Sequence, residues 1–172
     1  MPEIVQHIPV LLDEVLEYLS PEEGESYLDL TAGYGGHATQ VLAITQAEAT
    51  LVDRDENAHH SLSELFRDNK NVRLIQKDFE QASIELADSG KTFDIILADL
   101  GISSPHIDNK QRGFSIKQDG PLDMRMDQAQ EKSAETVVNT YSQEALATLL
   151  KKYGEEPKAE KIARLIVEAR PI

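Results

Sequence analysis

Four short stretches rich in apolar and β-branched residues recur along the chain: SYLDL (26–30), ATLVD (49–53), VRLIQ (72–76) and FDIILAD (93–99). A segment of helical pattern separates each from the next. HATQVLAIT (37–45) follows the first, residues 56–67 with Leu62, Leu65 and Phe66 follow the second, and a weaker helix over 80–88 follows the third. This is βαβ spacing, and it predicts a parallel sheet with helices on both faces. The nearly continuous apolar centre of FDIILAD suits an inner strand. An inner strand needs neighbours on both sides, because unpaired backbone groups are costly. The strand pattern nevertheless stops at four, and the sequence given ends at ARPI after an amphipathic stretch. The expectation is therefore a sheet unfinished within these residues: a fragment, or a chain completed by another copy.

Ahead of the first strand, Leu11, Leu12, Val15, Leu16 and Leu19 recur at helical spacing behind Pro9, a residue tolerated at a helix start. After Leu100 the style changes. Residues 100–127 are rich in Gly, Pro, Ser and Asp and predict no helix, and PLDMRMD (121–127) alternates apolar and charged residues as an extended run would. Helical stretches return over 134–139, 142–152 and 157–169. Ser142 is a predicted N-cap, Pro157 suits a first helical turn, and Ile162, Leu165, Ile166 and Ala169 form one apolar stripe.

With 172 residues the chain has room for one domain, or one domain and a fragment. The absence of cysteine excludes disulfides and cysteine-bound zinc. An excess of 31 Asp+Glu over 17 Lys+Arg, net −14, argues against a broad grip on nucleic-acid phosphates. It leaves room for an RNA substrate docked on a local basic patch. Aromatic content of 5% argues against a large base-stacking platform. The first residues lack a signal-peptide pattern, and no apolar run approaches the ~20 residues of a membrane span. A cytoplasmic protein with no membrane association is expected.

The chemistry concentrates in DLTAGYGGH (29–37), where Gly33, Gly35 and Gly36 fall between the first strand and the first crossover helix. Gly33 to Ala38 fits G-x-G-x-x-A. In a doubly wound sheet this turn borders the ligand crevice at the carboxyl ends of the strands. Asp53 ends the second strand, 20 residues after Gly33. That is the place of a carboxylate that accepts hydrogen bonds from ribose hydroxyls. Together they point to a cofactor containing a nucleoside, and the glycine motif alone does not choose between a nicotinamide dinucleotide and S-adenosylmethionine. Asp99 opens a polar loop, DLGISSP, at the end of the fourth strand, the same ligand edge of the sheet.

These stretches, with HIPVLLDEVL (7–16), VDRD (52–55), DLGISSPHID (99–108), RGFS (112–115), GPLDMRMD (120–127) and YGEE (153–156), run in order over almost the whole chain. Together they resemble the ribosomal small-subunit RNA cytosine methyltransferases of the RsmH (MraW) family. The resemblance implies a Rossmann-like class I S-adenosylmethionine-dependent methyltransferase sheet, of which residues 1–104 hold the first four strands. Residues 105–172 would begin an inserted, mainly helical substrate-recognition domain. It implies S-adenosylmethionine as cofactor and methyl transfer to the exocyclic N(4) amine of a cytidine. Small-subunit ribosomal RNA or the 30S subunit would be the partner, with a homodimer as a further possibility. Cofactor contacts carried over by position fall on Gly35, Gly36, His37, Asp53, Phe79, Asp99 and His106. At His106 the family usually has Gln, and imidazole offers fewer simultaneous donors and acceptors than an amide. Pro157 stands where the family usually has Arg. Asp99 and Asp123 are the candidate catalytic carboxylates, Asp99 by accepting a hydrogen bond from the amine under attack. No metal site is expected.

Plainer readings stand beside these. His37 can cap the helix start with its ring, Asp55 can be an exposed first-turn carboxylate, and Phe79 can be a core aromatic. Ser103 and Ser104 are loop hydroxyls with no identifiable base nearby. Asp123 and Arg125 can be a structural ion pair, and the cations between Lys151 and Arg170 interleave with glutamates as on a solvated helix face. Two other functional classes fit the same fold: a nicotinamide oxidoreductase, and a domain that binds S-adenosylmethionine without catalysing.

Overall fold

Tyr27, Leu28 and Asp29 form the first strand of a four-stranded parallel sheet in the computed structural model, which describes residues 9–102 and 104–172. The His7–Ile8 start of HIPVLLDEVL, Ser103 and the side chain of Ser104 lie outside the described residues. The strands are β1 (Tyr27–Asp29), β2 (Ala49–Asp53), β3 (Val72–Gln76) and β4 (Ile95–Leu97). The helices around them are α1 (Leu12–Leu19), α2 (Gly36–Thr45), α3 (Glu56–Leu65) and α4 (Phe79–Asp88). Each lies where the hydrophobic period predicts it, to within a few residues at the ends.

The strand order is β3-β2-β1-β4. The chain steps outward from β1 through β2 to β3, then returns across β1 to lay down β4. Right-handed crossovers that step in opposite directions put their helices on opposite faces. The packing shows this. Tyr27, Ala49, Leu51 and Ile95 share one face with Ala38, Val41 and Leu42 of α2 and Leu62 of α3. The alternate residues Leu28 and Val52 share the other face with Ala82 and Leu86 of α4. The period-2 alternation of strand side chains is therefore satisfied on both sides, as in a doubly wound α/β sheet. The switch point falls between β1 and β4.

FDIILAD was expected as an inner strand. Among the described residues β4 pairs with β1 alone, in the register Tyr27↔Ile95 to Asp29↔Leu97. Its alternate face is open at Ile96, which is 56% exposed. The apolar run is thus real, but among the described residues β4 stands at the edge of the sheet, not inside it.

The described chain divides into two compact units at residues 103/104, and the sheet belongs to the first. The second carries α5 (Ser104–Asp108), a single 3-10 turn (Lys110–Arg112), α6 (Ala134–Thr140), α7 (Gln143–Gly154) and α8 (Ala159–Glu168). Ser142 caps α7 by accepting from the Ala145 N–H at 3.2 Å. Two expectations fail here. Residues 104–108 are helical although no helix was expected between 100 and 127; five residues are too few to show a 3.6-residue period. PLDMRMD does not run extended: Met124 sits at φ 58 and folds the segment into a turn. A third is shifted. Ala159 and Ala163 are the buried positions of α8, and Leu165 is half exposed. The smallest apolar residues make the close helix contact, and the larger ones flank it.

Candidate cofactor-binding site

The carboxyl ends of the four strands carry DLTAGYGGH, Asp53, Phe79 and Asp99, so the first unit gathers its predicted site residues along one edge of the sheet. Asp53 holds the glycine turn. Its Oδ2 accepts the Gly33 N–H at 2.8 Å, and its Oδ1 accepts the Asp55 N–H at 2.8 Å. Each carboxylate oxygen has a second lone pair, so hydroxyl donors can still be accepted. The sequence reading assigned Asp53 to a ligand and missed this anchoring bond.

The three glycines have different reasons. Gly33 (φ 53) and Gly35 (φ 82) occupy the left-handed region, and the Gly33 side is open: a Cβ there would meet only the Thr31 carbonyl oxygen, at 3.9 Å. At Gly35 a Cβ would fall 2.7 Å from Leu65 Cδ2, so the turn packs tightly on α3. A Cβ at Gly36 would collide with the Pro9 ring. Gly35 and Gly36 are thus bare because protein fills the side-chain direction. The N–H groups in the first turn of α2, which begins at Gly36, lie where a helix has no acceptor of its own.

His37 does not cap α2 with its ring. Its Nε2 lies 3.0 Å from the Val10 carbonyl oxygen, and a carbonyl only accepts, so Nε2 carries the proton. The ring ties the segment before α1 to the start of α2, leaving the backbone N–H as the group that can meet a ligand. Asp55 is buried at 1% exposure, not exposed as the plainer reading had it. It caps α3 by accepting from the N–H groups of Asn57 and Ala58. Phe79 opens α4 and is 47% exposed, so it is not a core aromatic. Asp78 caps that helix and fixes the position of Phe79.

Two residues at this edge were not singled out from the sequence. Asp29 is a buried carboxylate beneath the glycine turn, accepting from the Tyr27 hydroxyl at 2.8 Å and from the Thr31 N–H at 3.1 Å. Burial pushes its pKa up to about 6, against the opposing pull of the Tyr27 hydrogen bond. The same burial, with Asp29 beside it, pushes the Tyr27 phenol far above its ordinary range. Thr31 is the second: its Oγ1 accepts the Asp99 N–H at 2.7 Å. The available signal was an acid inside a strand buried on both faces, followed by a hydroxyl residue two positions on.

His106 and Asp123 belong to the second unit. The His106 ring is buried and tilted against Phe114, with centroids 5.7 Å apart. Asp123 makes a two-pronged ion pair with Arg125, Oδ1 to Nε at 2.9 Å and Oδ2 to Nη2 at 2.7 Å. That pairing holds the Asp123 carboxyl below the usual carboxylate range. Arg125 also donates to the carbonyls of Gln128 and Gln130, and Arg112 donates to those of Arg125 and Met126. GPLDMRMD and RGFS are thereby folded onto each other as one cross-linked loop. Among the described residues no group of three or more acidic or histidine side chains has a metal-holding arrangement, and no helix is long and apolar enough to cross a membrane.

Strand order, switch point and glycine turn together define a Rossmann-like α/β unit, the class of fold whose ligand crevice lies at the carboxyl ends of the strands. The chain belongs to the MraW methylase family, whose model matches residues 4–172. It is 48% identical, over 96% of its length, to the ribosomal RNA small subunit methyltransferase H of Mycoplasmopsis synoviae (strain 53), of which it covers 56%. It is 47% identical, again over 96% of its length, to the 12S rRNA N(4)-cytidine methyltransferase METTL15 of Pongo abelii, of which it covers 43%. To the ribosomal RNA small subunit methyltransferase H of Halothermothrix orenii it is 39% identical over 97% of its length, covering 55% of that protein. The chain therefore spans about half the length of the curated relatives it matches. Membership of a methylase family leaves the nicotinamide oxidoreductase reading without support.

Proposed function

We propose that this chain is the cofactor-binding part of an S-adenosylmethionine-dependent enzyme that methylates the exocyclic N(4) amine of a cytidine in small-subunit ribosomal RNA. The observation that carries the reading is that relatives at 39–48% identity over nearly the whole chain are named as ribosomal RNA methyltransferases, two of those quoted as small-subunit enzymes and one as an N(4)-cytidine enzyme.

The strand-end residues suit that cofactor by chemistry. The Asp53 carboxylate accepts from ribose hydroxyls. The first-turn N–H groups of α2, at Gly36 and His37, favour the carboxylate of an amino-acid moiety, and the tight packing of Gly35 keeps that turn in place. Phe79 offers an exposed aromatic face to a purine. When bound, S-adenosylmethionine supplies an activated methyl group on a sulfonium. The chain's own part is positioning, which contributes up to about 7–11 kcal/mol when reacting atoms are well aligned.

Asp99 is the residue that orients the amine. A cytosine amino group is a weak nucleophile because its lone pair is delocalised into the ring. An N–H hydrogen bond to the Asp99 carboxylate returns electron density to nitrogen and fixes the direction of attack. The cytidine is turned out of its surroundings to reach the pocket. Asp123, with both oxygens engaged by Arg125, serves as scaffold for the loop in the second unit, and His106, packed on Phe114, is read the same way. The second unit would meet the RNA, as free ribosomal RNA or within the 30S subunit.

The test is methyl transfer by the full-length protein from isotopically labelled S-adenosylmethionine to small-subunit RNA, with nucleoside mass spectrometry of the product. N(4)-methylcytidine is expected, and its loss with Asp99→Ala. Label on another nucleoside overturns the substrate assignment. Cofactor binding without transfer favours a binding domain that does not catalyse.

A further inference from the structure

The last backbone rung between β1 and β4 runs from the Leu30 N–H to the Leu97 carbonyl, at 2.9 Å. Past it the chain after β1 leans toward β2, where the Ala32 N–H reaches the Val52 carbonyl at 2.9 Å. The two strands part there, and the parting is the switch point of the sheet. Asp99 lies just beyond the fork, exposed, at the start of its loop. Its backbone is nevertheless tied back across 68 residues of sequence: the Asp99 N–H donates to Thr31 Oγ1 at 2.7 Å.

We propose that Thr31 is a positioning residue for Asp99, its hydroxyl acting as one more rung beyond the last backbone rung described between β1 and β4. Thr31 is itself held. Its N–H donates to Asp29 Oδ1 at 3.1 Å, and Asp29, buried, also accepts from the Tyr27 hydroxyl at 2.8 Å. A β-branched side chain has few χ1 choices, so the acceptor stays where the backbone puts it. The result is a continuous path from the buried Tyr27–Asp29 pair, through Thr31, to the backbone of the residue that meets the amine. Serine can supply the same oxygen. Valine keeps the shape and the branching and has no acceptor.

The inference rests on the reading of Asp99 as the amine-orienting residue, and the experiment separates the two. Thr31→Val, Thr31→Ser, Asp99→Ala and the Thr31→Val/Asp99→Ala double variant are made in the full-length protein. Methyl transfer, S-adenosylhomocysteine affinity by calorimetry, and the amide resonance of Asp99 are measured for each. Thr31→Val is expected to lower kcat roughly ten- to a hundredfold, with affinity for S-adenosylhomocysteine within about twofold of the parent. The Asp99 amide proton should shift upfield as its hydrogen bond is lost. Thr31→Ser should restore most of the rate, and in the Asp99→Ala background Thr31→Val should cost nothing more. An unchanged kcat in Thr31→Val, or an equal further loss in the Asp99→Ala background, overturns the role of Thr31. Full activity in Asp99→Ala overturns the reading of Asp99, and the role of Thr31 falls with it.

Discussion

Gly33 donates its backbone N–H to Asp53 Oδ2 at 2.8 Å, joining the glycine turn after β1 to the end of β2 across twenty residues of sequence. The acid that ends β2 is therefore part of the frame of the turn as well as a candidate ligand contact. One side chain sets the turn in place and keeps lone pairs that a ligand's hydroxyls could use.

The first prediction follows from that double role. Asp53→Ala removes the acceptor for the N–H groups of both Gly33 and Asp55. Unfolding free energy should fall by about 1–3 kcal/mol, the usual cost of leaving such donors without a protein partner. Asp53→Asn keeps one carbonyl oxygen and should lose less. Urea titrations of the two variants check the order, and equal stabilities in all three proteins would contradict it.

Asp29 gives a prediction with a sign. Its pKa stands at about 6 in the folded protein, against an ordinary value of 3.8. The folded state therefore binds the proton more tightly than the unfolded chain, and this group's contribution to stability is lost as pH rises from about 4 to about 6. Asp29→Asn has no such titration. The difference in unfolding free energy between Asp29→Asn and the parent should move in favour of the variant, by roughly 2 kcal/mol, between pH 4 and pH 7. A difference that does not change with pH would contradict the burial argument.

Gly35 tests the packing account of the turn. At φ 82, with Leu65 Cδ2 2.7 Å from where a Cβ would stand, Gly35→Ala combines backbone strain with a clash. It should destabilise by about 1–3 kcal/mol in the absence of any ligand. Gly33→Ala meets open space and should show the backbone cost alone, about 1 kcal/mol. Thermal melts of the ligand-free variants settle the order, and the reverse order would mean that the Gly35 contact with α3 is not what excludes a side chain.

In the second unit, Asp123→Asn keeps the shape of the side chain and weakens the two-pronged pairing with Arg125. Amide exchange should quicken over residues 121–130, while α7 and α8 keep their protection. Unchanged exchange across 121–130 would show that the loop is held by the Arg112 and Arg125 bonds to carbonyls alone.

The helices of the first unit were legible through their helical residue pattern, and the strands through short apolar, β-branched runs that recur between them at βαβ spacing. The start of α7 was legible too, because Ser142 is a residue type that caps helices. Asp53 and Asp99 were legible as site candidates because strand ends in a doubly wound sheet are where ligands lie. What escaped was what depends on contact between distant residues. Nothing local says that Asp53 reaches Gly33, that Leu65 stands behind Gly35, or that Thr31 accepts from Asp99 68 positions away. GPLDMRMD misled for the opposite reason: its alternation imitates a strand, while the Asp123–Arg125 pairing and the left-handed Met124 close it into a turn.

The most direct test of the central claim, that the strand-end residues form a seat for S-adenosylmethionine, is calorimetric titration of S-adenosylhomocysteine into the full-length protein and its Asp53→Asn variant. The account predicts one-site binding to the parent and affinity weaker by about tenfold or more in the variant, the loss of a charged hydrogen bond. Equal affinity in the two proteins, or no binding to the parent, would contradict it.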